Sequence, residues 1–271
     1  MSRRVAPRSL LAAIAVAAAV AMVSGCGDDR STVATKPALH EMKQSAPAEP
    51  KPAGPARKWP FGGRSGSTAA ETAPAGNLLV RNYYMVLDAS GSMGNRACSG
   101  DLTKMEAAKN ALLTFAQGFP ADANLGLVVF DRAGVNEALP IGPGNRDQFG
   151  ALVAAVRPNG GTPLKSAIEL AYRGLTGQAR KQFGYGEYHL VIVTDGEADT
   201  GQDPGPIVNR MLQESPVVIH TIGFCIGTNH SLNQPGRTLY QAADNPEQLR
   251  QQLSDVLAEA PAFSVTQFSK Q

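Results

Sequence analysis

Asp88, Ser90 and Ser92 stand at alternate positions directly after the apolar run Tyr83–Leu87. A carboxylate and two hydroxyls are hard oxygen donors, which suit magnesium, manganese or calcium and not zinc or copper. Gly91 sits between the two serines, where a residue without a side chain lets the backbone turn tightly. The three oxygens can then face one point. The same string also fits a buried strand followed by a polar Ser/Gly turn, and alone it does not choose between the two. Two further stretches bear on the choice. Gly160-Gly161-Thr162-Pro163 is a punctuated loop carrying one hydroxyl. Thr194-Asp195-Gly196-Glu197 delivers a second carboxylate directly after the apolar run that starts at His189.

The elements that must position these groups follow from the hydrophobic pattern. Tyr83–Leu87, Leu125–Phe130, His189–Thr194 and Val217–Phe224 are continuous apolar runs of strand length, and Val135–Ile141 is a weaker run expected at a sheet edge. Met105, Ala108, Leu112 and Phe115 recur at helical spacing within Lys104–Gln117, with Asp101 or Thr103 as the helix start. Further helices are expected over 147–156, 164–174, 206–214 and 245–258, the last with Asn245 as its cap and Pro246 in its first turn. Leu239–Ala243 is a short strand or a turn. Strands alternating with helices predict an α/β fold with a largely parallel sheet and helices on both faces. Ligands of such sheets bind beyond the carboxyl ends of the strands, where Asp88 and Asp195 both fall.

In order and spacing, the three stretches resemble a von Willebrand factor type A domain with a metal-ion-dependent adhesion site. The resemblance covers about 78–260 and implies a three-layer, Rossmann-like, doubly wound fold whose mostly parallel sheet carries one antiparallel edge strand. It implies that Ser90 and Ser92 bind a dication directly, Thr162 directly or through water, and Asp88 and Asp195 mostly through water. It further implies that the metal, magnesium before manganese or calcium, grips an Asp or Glu of a protein partner, so that the output is binding and not catalysis. An envelope scaffold with an inert metal site is the alternative. A metal-dependent hydrolase is a third reading, and the sequence argues against it. The position two residues after Asp88 is Ser90 where a haloacid-dehalogenase-type phosphatase needs a second Asp, and no G-x-S-x-G elbow is present.

Residues 1–25 combine Arg3, Arg4 and Arg8 with the apolar run Leu10–Val23, the size of a signal-peptide core. Val23-Ser24-Gly25-Cys26 resembles the lipobox of bacterial lipoproteins, which implies cleavage before Cys26 and lipid on it. The expected location is the bacterial cell envelope, membrane-anchored through Cys26, with Gly27 leaning towards the outer membrane. Residues 26–77 are rich in Pro, Ala, Gly and Ser and read as a disordered tether, with Trp59-Pro60-Phe61 as one apolar island that is a docking spot or a sticky point on a spacer. Residues 261–271 are a tail. The formal net charge is +2 and becomes −1 without the three leader arginines, so no nucleic-acid partner is expected.

Cys98 and Cys225 remain once Cys26 is assigned to lipid. Cys225 follows a strand and should reach the rim that carries Cys98, so a disulfide is preferred; free thiols, or zinc shared with the nearby His230, are the alternatives. His220 lies inside an apolar strand as a core histidine. Met93 and Asn95 lie beside the site, as partner contacts or as solvated loop. Glu197 and Asp199 are rim residues that tune the site, hold an adjacent calcium or are simply exposed.

Overall fold

The computed structural model describes residues 59–61 and 73–258. The leader, Cys26, most of the tether and the tail lie outside the described residues.

The apolar runs become strands because each is flanked by helices on both sides. In chain order the elements are β1 (Arg81–Asp88), a single 3-10 turn (Gly91–Gly94), α1 (Lys104–Gly118), β2 (Asn124–Asp131), β3 (Gly134–Gly142), α2 (Arg146–Ala155), α3 (Leu164–Lys181), β4 (Glu187–Thr194), α4 (Gly205–Glu214), β5 (Val218–Phe224), β6 (Leu239–Ala243) and α5 (Pro246–Ala258). The six strands form one sheet in the order β3-β2-β1-β4-β5-β6. All neighbours are parallel except β2 and β3, which makes β3 the antiparallel edge. Tyr83, Met85 and Leu87 face a layer built from α1, α2 and α5. Tyr84 and Val86 face α3 and α4. The sheet is therefore sandwiched, which is why its central strands are apolar on both faces.

Strand β1 lies between β2 and β4, so the chain winds outward from it in both directions. This is the topological switch point of the sheet, where a crevice opens beyond the carboxyl ends. Leu87 is in register with Val193, which sets Asp88 beside Thr194 and Asp195 just past it.

Local sequence explains most boundaries. Thr103 caps α1: its hydroxyl accepts the Glu106 N–H at 3.2 Å, and the Glu106 carboxylate accepts the Thr103 N–H at 2.7 Å. Such a reciprocal cap contributes about 1 kcal/mol. Met105, Ala108, Leu112 and Phe115 all point into the core. Asn245 caps α5 by accepting the Gln248 N–H at 2.9 Å.

One boundary departs from expectation. Helix α3 was expected to stop at Gly174 but runs on to Lys181. Gly174 is a packing requirement and not a stop signal. A Cβ there would lie 2.3 Å from the ring of Tyr84, and a Cβ on Gly126 across the same ring would lie 2.5 Å from it. The Tyr84 ring is slotted between two glycines, and its hydroxyl is held by Glu137. Gly174→Ala should therefore destabilise the fold by about 1–3 kcal/mol through overpacking, although alanine is the better helix former by about 1 kcal/mol. Urea unfolding measures it, and Tyr84→Leu combined with Gly174→Ala should recover part of the loss.

The apolar island expected within the tether packs onto this domain. Trp59 meets Tyr188 edge-on at 4.9 Å and donates its indole N–H to Thr176 at 3.3 Å. Pro60 is buried, and its carbonyl accepts from Arg180 at 3.2 Å. Trp59 and Pro60 thus pack against residues of α3 and β4.

Candidate functional site

Asp88 ends β1 and is fully buried. Its Oδ1 accepts the Ser90 N–H at 2.8 Å, and its Oδ2 accepts the Thr194 hydroxyl at 2.6 Å. Burial pushes the Asp88 carboxyl above the usual carboxylate range; Ser90 and Thr194 pull it back by hydrogen bonding, and the Asp195 charge nearby raises it further. The backbone then enters the 3-10 turn, which presents Ser92 from within it and Ser90 from just before it. The two hydroxyl oxygens lie 3.0 Å apart. Ser92 donates to Asp195 Oδ1 at 2.7 Å, so the loop after β1 and the loop after β4 meet side chain to side chain.

Gly91 does not use left-handed backbone freedom. A side chain there would meet only the Gly160 carbonyl, at 3.6 Å. Its contribution is the backbone N–H, which donates to that carbonyl at 3.0 Å. Together with the Asn159 N–H on the Ala89 carbonyl at 2.7 Å, this bond zips the Thr162 loop onto the serine turn.

The two glycines before Thr162 have separate reasons. Gly160 has φ +95° and sits where a Cβ would be 2.7 Å from the Arg132 backbone. At Gly161 a Cβ would be 2.2 Å from Asp199 Oδ2. Asp199 needs that approach because its Oδ2 accepts the Thr162 N–H at 2.8 Å, while its own N–H reaches the Thr162 carbonyl at 3.0 Å. Asp199 is thus a clamp that fixes the Thr162 loop to the β4 rim. The backbone brings the segments of all five expected residues, Asp88, Ser90, Ser92, Thr162 and Asp195, to one edge.

Sequence reasoning missed two groups here. Lys104 opens α1, yet it is buried, with its Nζ 2.7 Å from Asp195 Oδ2. A cation at a helix N-terminus opposes the helix dipole, and that local inconsistency was the available signal. His230, weighed above as a zinc ligand, instead braces the Asp195 loop. Its Nδ1 accepts the Leu232 N–H at 3.0 Å, which leaves the proton on Nε2 to donate to the Gly196 carbonyl at 3.0 Å. No sequence spacing announces that contact.

Other expectations divide. Met93 is fully buried in the core beneath the turn and is not a partner contact. Asn95 is exposed, and its carbonyl accepts the Lys104 N–H at 2.8 Å. Glu197 is exposed and takes a hydrogen bond from Ser231 at 3.1 Å. His220 is a core histidine whose Nε2 lies 3.2 Å from Nδ1 of His189. Cys98 and Cys225 form a disulfide with Cα atoms 6.0 Å apart, which removes both the zinc and the free-thiol alternatives. The bridge ties the loop after the serine turn to the end of β5. Because it spans 127 residues, opening it by Cys98→Ser with Cys225→Ser should lower stability by about 2–4 kcal/mol in thermal or urea unfolding.

Among the described residues no three His, Cys, Asp or Glu side chains cluster as a metal cage. What converges is a mixed set of hydroxyls and two carboxylates. That donor chemistry fits a hard dication bound with help from water or from an outside ligand.

Residues 83–197 match the family model of the von Willebrand factor type A domain. The chain is similar to the uncharacterized protein YwmD of Bacillus subtilis (strain 168), 29% identical over 176 residues that make up 58% of this chain and 74% of that one. Its fold is shared with an aerotolerance-related membrane protein from Bacteroides fragilis, with TM-score 0.52 and 18% identity over 66% of this chain and 99% of that one. It is shared also with the PilB minor pilin of Streptococcus sanguinis, with TM-score 0.53 and 14% identity over 69% and 62% of the two chains.

Proposed function

We propose that the von Willebrand factor type A domain of this chain holds one divalent cation and through it engages an acidic group of a protein partner at the cell envelope. The observation that carries this reading is the meeting of the Ser90 and Ser92 hydroxyls, 3.0 Å apart, with Asp195 at the switch point of the sheet. Ser90 and Ser92 would ligate the cation directly, Thr162 directly or through water, and Asp88 and Asp195 mostly through water. Magnesium is the expected ion, ahead of manganese or calcium, because small hydroxyl ligands and retained waters suit it. When bound, the cation supplies an open coordination position that attracts a carboxylate, and neutral hydroxyl ligands leave its charge largely unspent. The residues do the rest: Asp88 orients the Ser90 backbone, Asp199 fixes the Thr162 loop, and His230 fixes the Asp195 loop.

The fold's occurrence in a minor pilin is in keeping with adhesion, and its occurrence in a membrane protein is in keeping with an envelope location. Among the described residues no helix is long and apolar enough to cross a membrane. The lipid on Cys26 stays part of the proposal. The inert-scaffold alternative has one structural support, since Lys104 already supplies Asp195 with a positive partner.

Calorimetric titration of the full chain with magnesium and manganese separates these readings. Saturable binding in the parent chain, weakened at least about tenfold by Ser92→Ala, is expected, a loss of about 1.4 kcal/mol. A parent chain that binds neither ion would leave the scaffold reading standing and the metal reading refuted.

A further inference from the structure

Lys104 breaks a local rule without any local gain. It is the first residue of α1, where the unsatisfied N–H groups already make the end positive. Glu106, two residues on, does not compensate it, because its carboxylate is spent on the Thr103 N–H and hydroxyl. The Lys104 side chain is only 8% exposed and that of Asp195 is 0% exposed. An ammonium so placed needs a partner, and Asp195 Oδ2 at 2.7 Å is that partner. The other oxygen of Asp195 takes the Ser92 hydroxyl at 2.7 Å. Any cation that approaches the serines therefore shares Asp195 with Lys104.

We propose that Lys104 is the built-in counter-charge of the site, holding Asp195 in place without a cation and coupling cation binding to capture of a carboxylate. The proposal deepens the metal-site reading and rests on it. The coupling follows from charge. Two carboxylates, Asp88 and Asp195, balance a dication, and Lys104 then leaves one positive charge in a buried setting. An incoming carboxylate cancels that charge. Without Lys104 the loaded site would be neutral, and an incoming carboxylate would make it negative. Charges in a dehydrated crevice interact far more strongly than in water. Lys104 thus weakens the cation when it binds alone and favours the cation together with an anion. By mass action each then tightens the other.

The test uses the full chain with manganese as the probe, titrated with and without sodium acetate. Lys104→Met and Lys104→Gln are compared with the parent and with Lys104→Arg. Manganese alone should bind the Met and Gln variants about tenfold tighter than the parent, because a nearby positive charge has gone. Acetate should strengthen manganese binding to the parent and to Lys104→Arg clearly more than to the two neutral variants. Should Lys104→Met not fold, Lys104→Gln carries the comparison, since its amide keeps an N–H donor without the charge. Neutral variants that melt earlier in chelator yet bind manganese and acetate like the parent would overturn the proposal and leave a structural ion pair. A parent chain that binds no manganese would instead bring down the metal-site reading itself, and the two failures are told apart in the parent titration.

Discussion

Asp195→Ala should abolish the proposed magnesium binding and lower the unfolding free energy in chelator by about 3–5 kcal/mol, the usual cost of removing one partner of a buried ion pair. Two losses combine. The Ser92 hydroxyl loses its acceptor, and the Lys104 ammonium, with a side chain 8% exposed, is left in the protein without its carboxylate. The second loss is the larger, because an unpaired buried charge costs more than an unmade neutral hydrogen bond. Asp195→Ala combined with Lys104→Met should therefore recover much of the stability and none of the metal binding. Urea unfolding in chelator, beside calorimetric titration, reads both quantities. A double variant no more stable than Asp195→Ala would show that the ion pair is not the source of the loss.

The second large effect is acid lability, and it arises at the opposite end of the same sheet. His189 and His220 lie near the amino ends of β4 and β5, on the face towards α1 and α5, and the His189 ring stacks on Tyr83 at 4.5 Å. Burial pushes both imidazoles down to about 4, helped by Arg81 at His189 and by His189 at His220. The Glu187 carboxylate 3.6 Å from His189 Nε2 does not offset this. A neutral histidine in the fold and an ordinary one in the unfolded chain means that the unfolded chain takes up protons first as pH falls. Stability from this pair is thus complete above about pH 6.5 and is lost between there and about pH 4, by an amount on the order of a few kcal/mol for the two imidazoles together. Asp88 acts in the opposite sense, since its raised pKa relieves the fold as the pH falls. The informative quantity is therefore the difference between the parent and His189→Phe, in which the Asp88 contribution cancels. The variant should show a flatter decline over that window. Parallel stability curves would refute the assignment.

Much of the site was legible in the sequence because its chemistry sits at strand ends. Apolar runs long enough to be buried fixed where β1 and β4 stop, and the next residues had to emerge at the rim. Asp88, Ser90, Ser92 and Asp195 followed from that. The largely parallel sheet with helices on both faces came from the alternation of elements, and the helix ends came from Thr103 and Asn245, whose side chains act within one turn of the chain. Even the Cys98–Cys225 pairing was accessible, because it needed only which rim each residue occupies.

What the tertiary structure decided is every contact between residues distant in sequence and ambiguous in type. Gly174 reads as a helix stop until Tyr84 is placed against it. Met93 reads as a rim residue until the 3-10 turn folds it inward. Asp199 and His230 read as surface polarity or as a metal ligand until the loops they hold come together. Lys104 reads as an ordinary helical lysine until the fold brings its ammonium 2.7 Å from Asp195. Local pattern reports how a residue suits its own element, whereas these roles depend on what another element brings within a few ångströms. Only the packed sheet, with its switch point between β1 and β4, decides that.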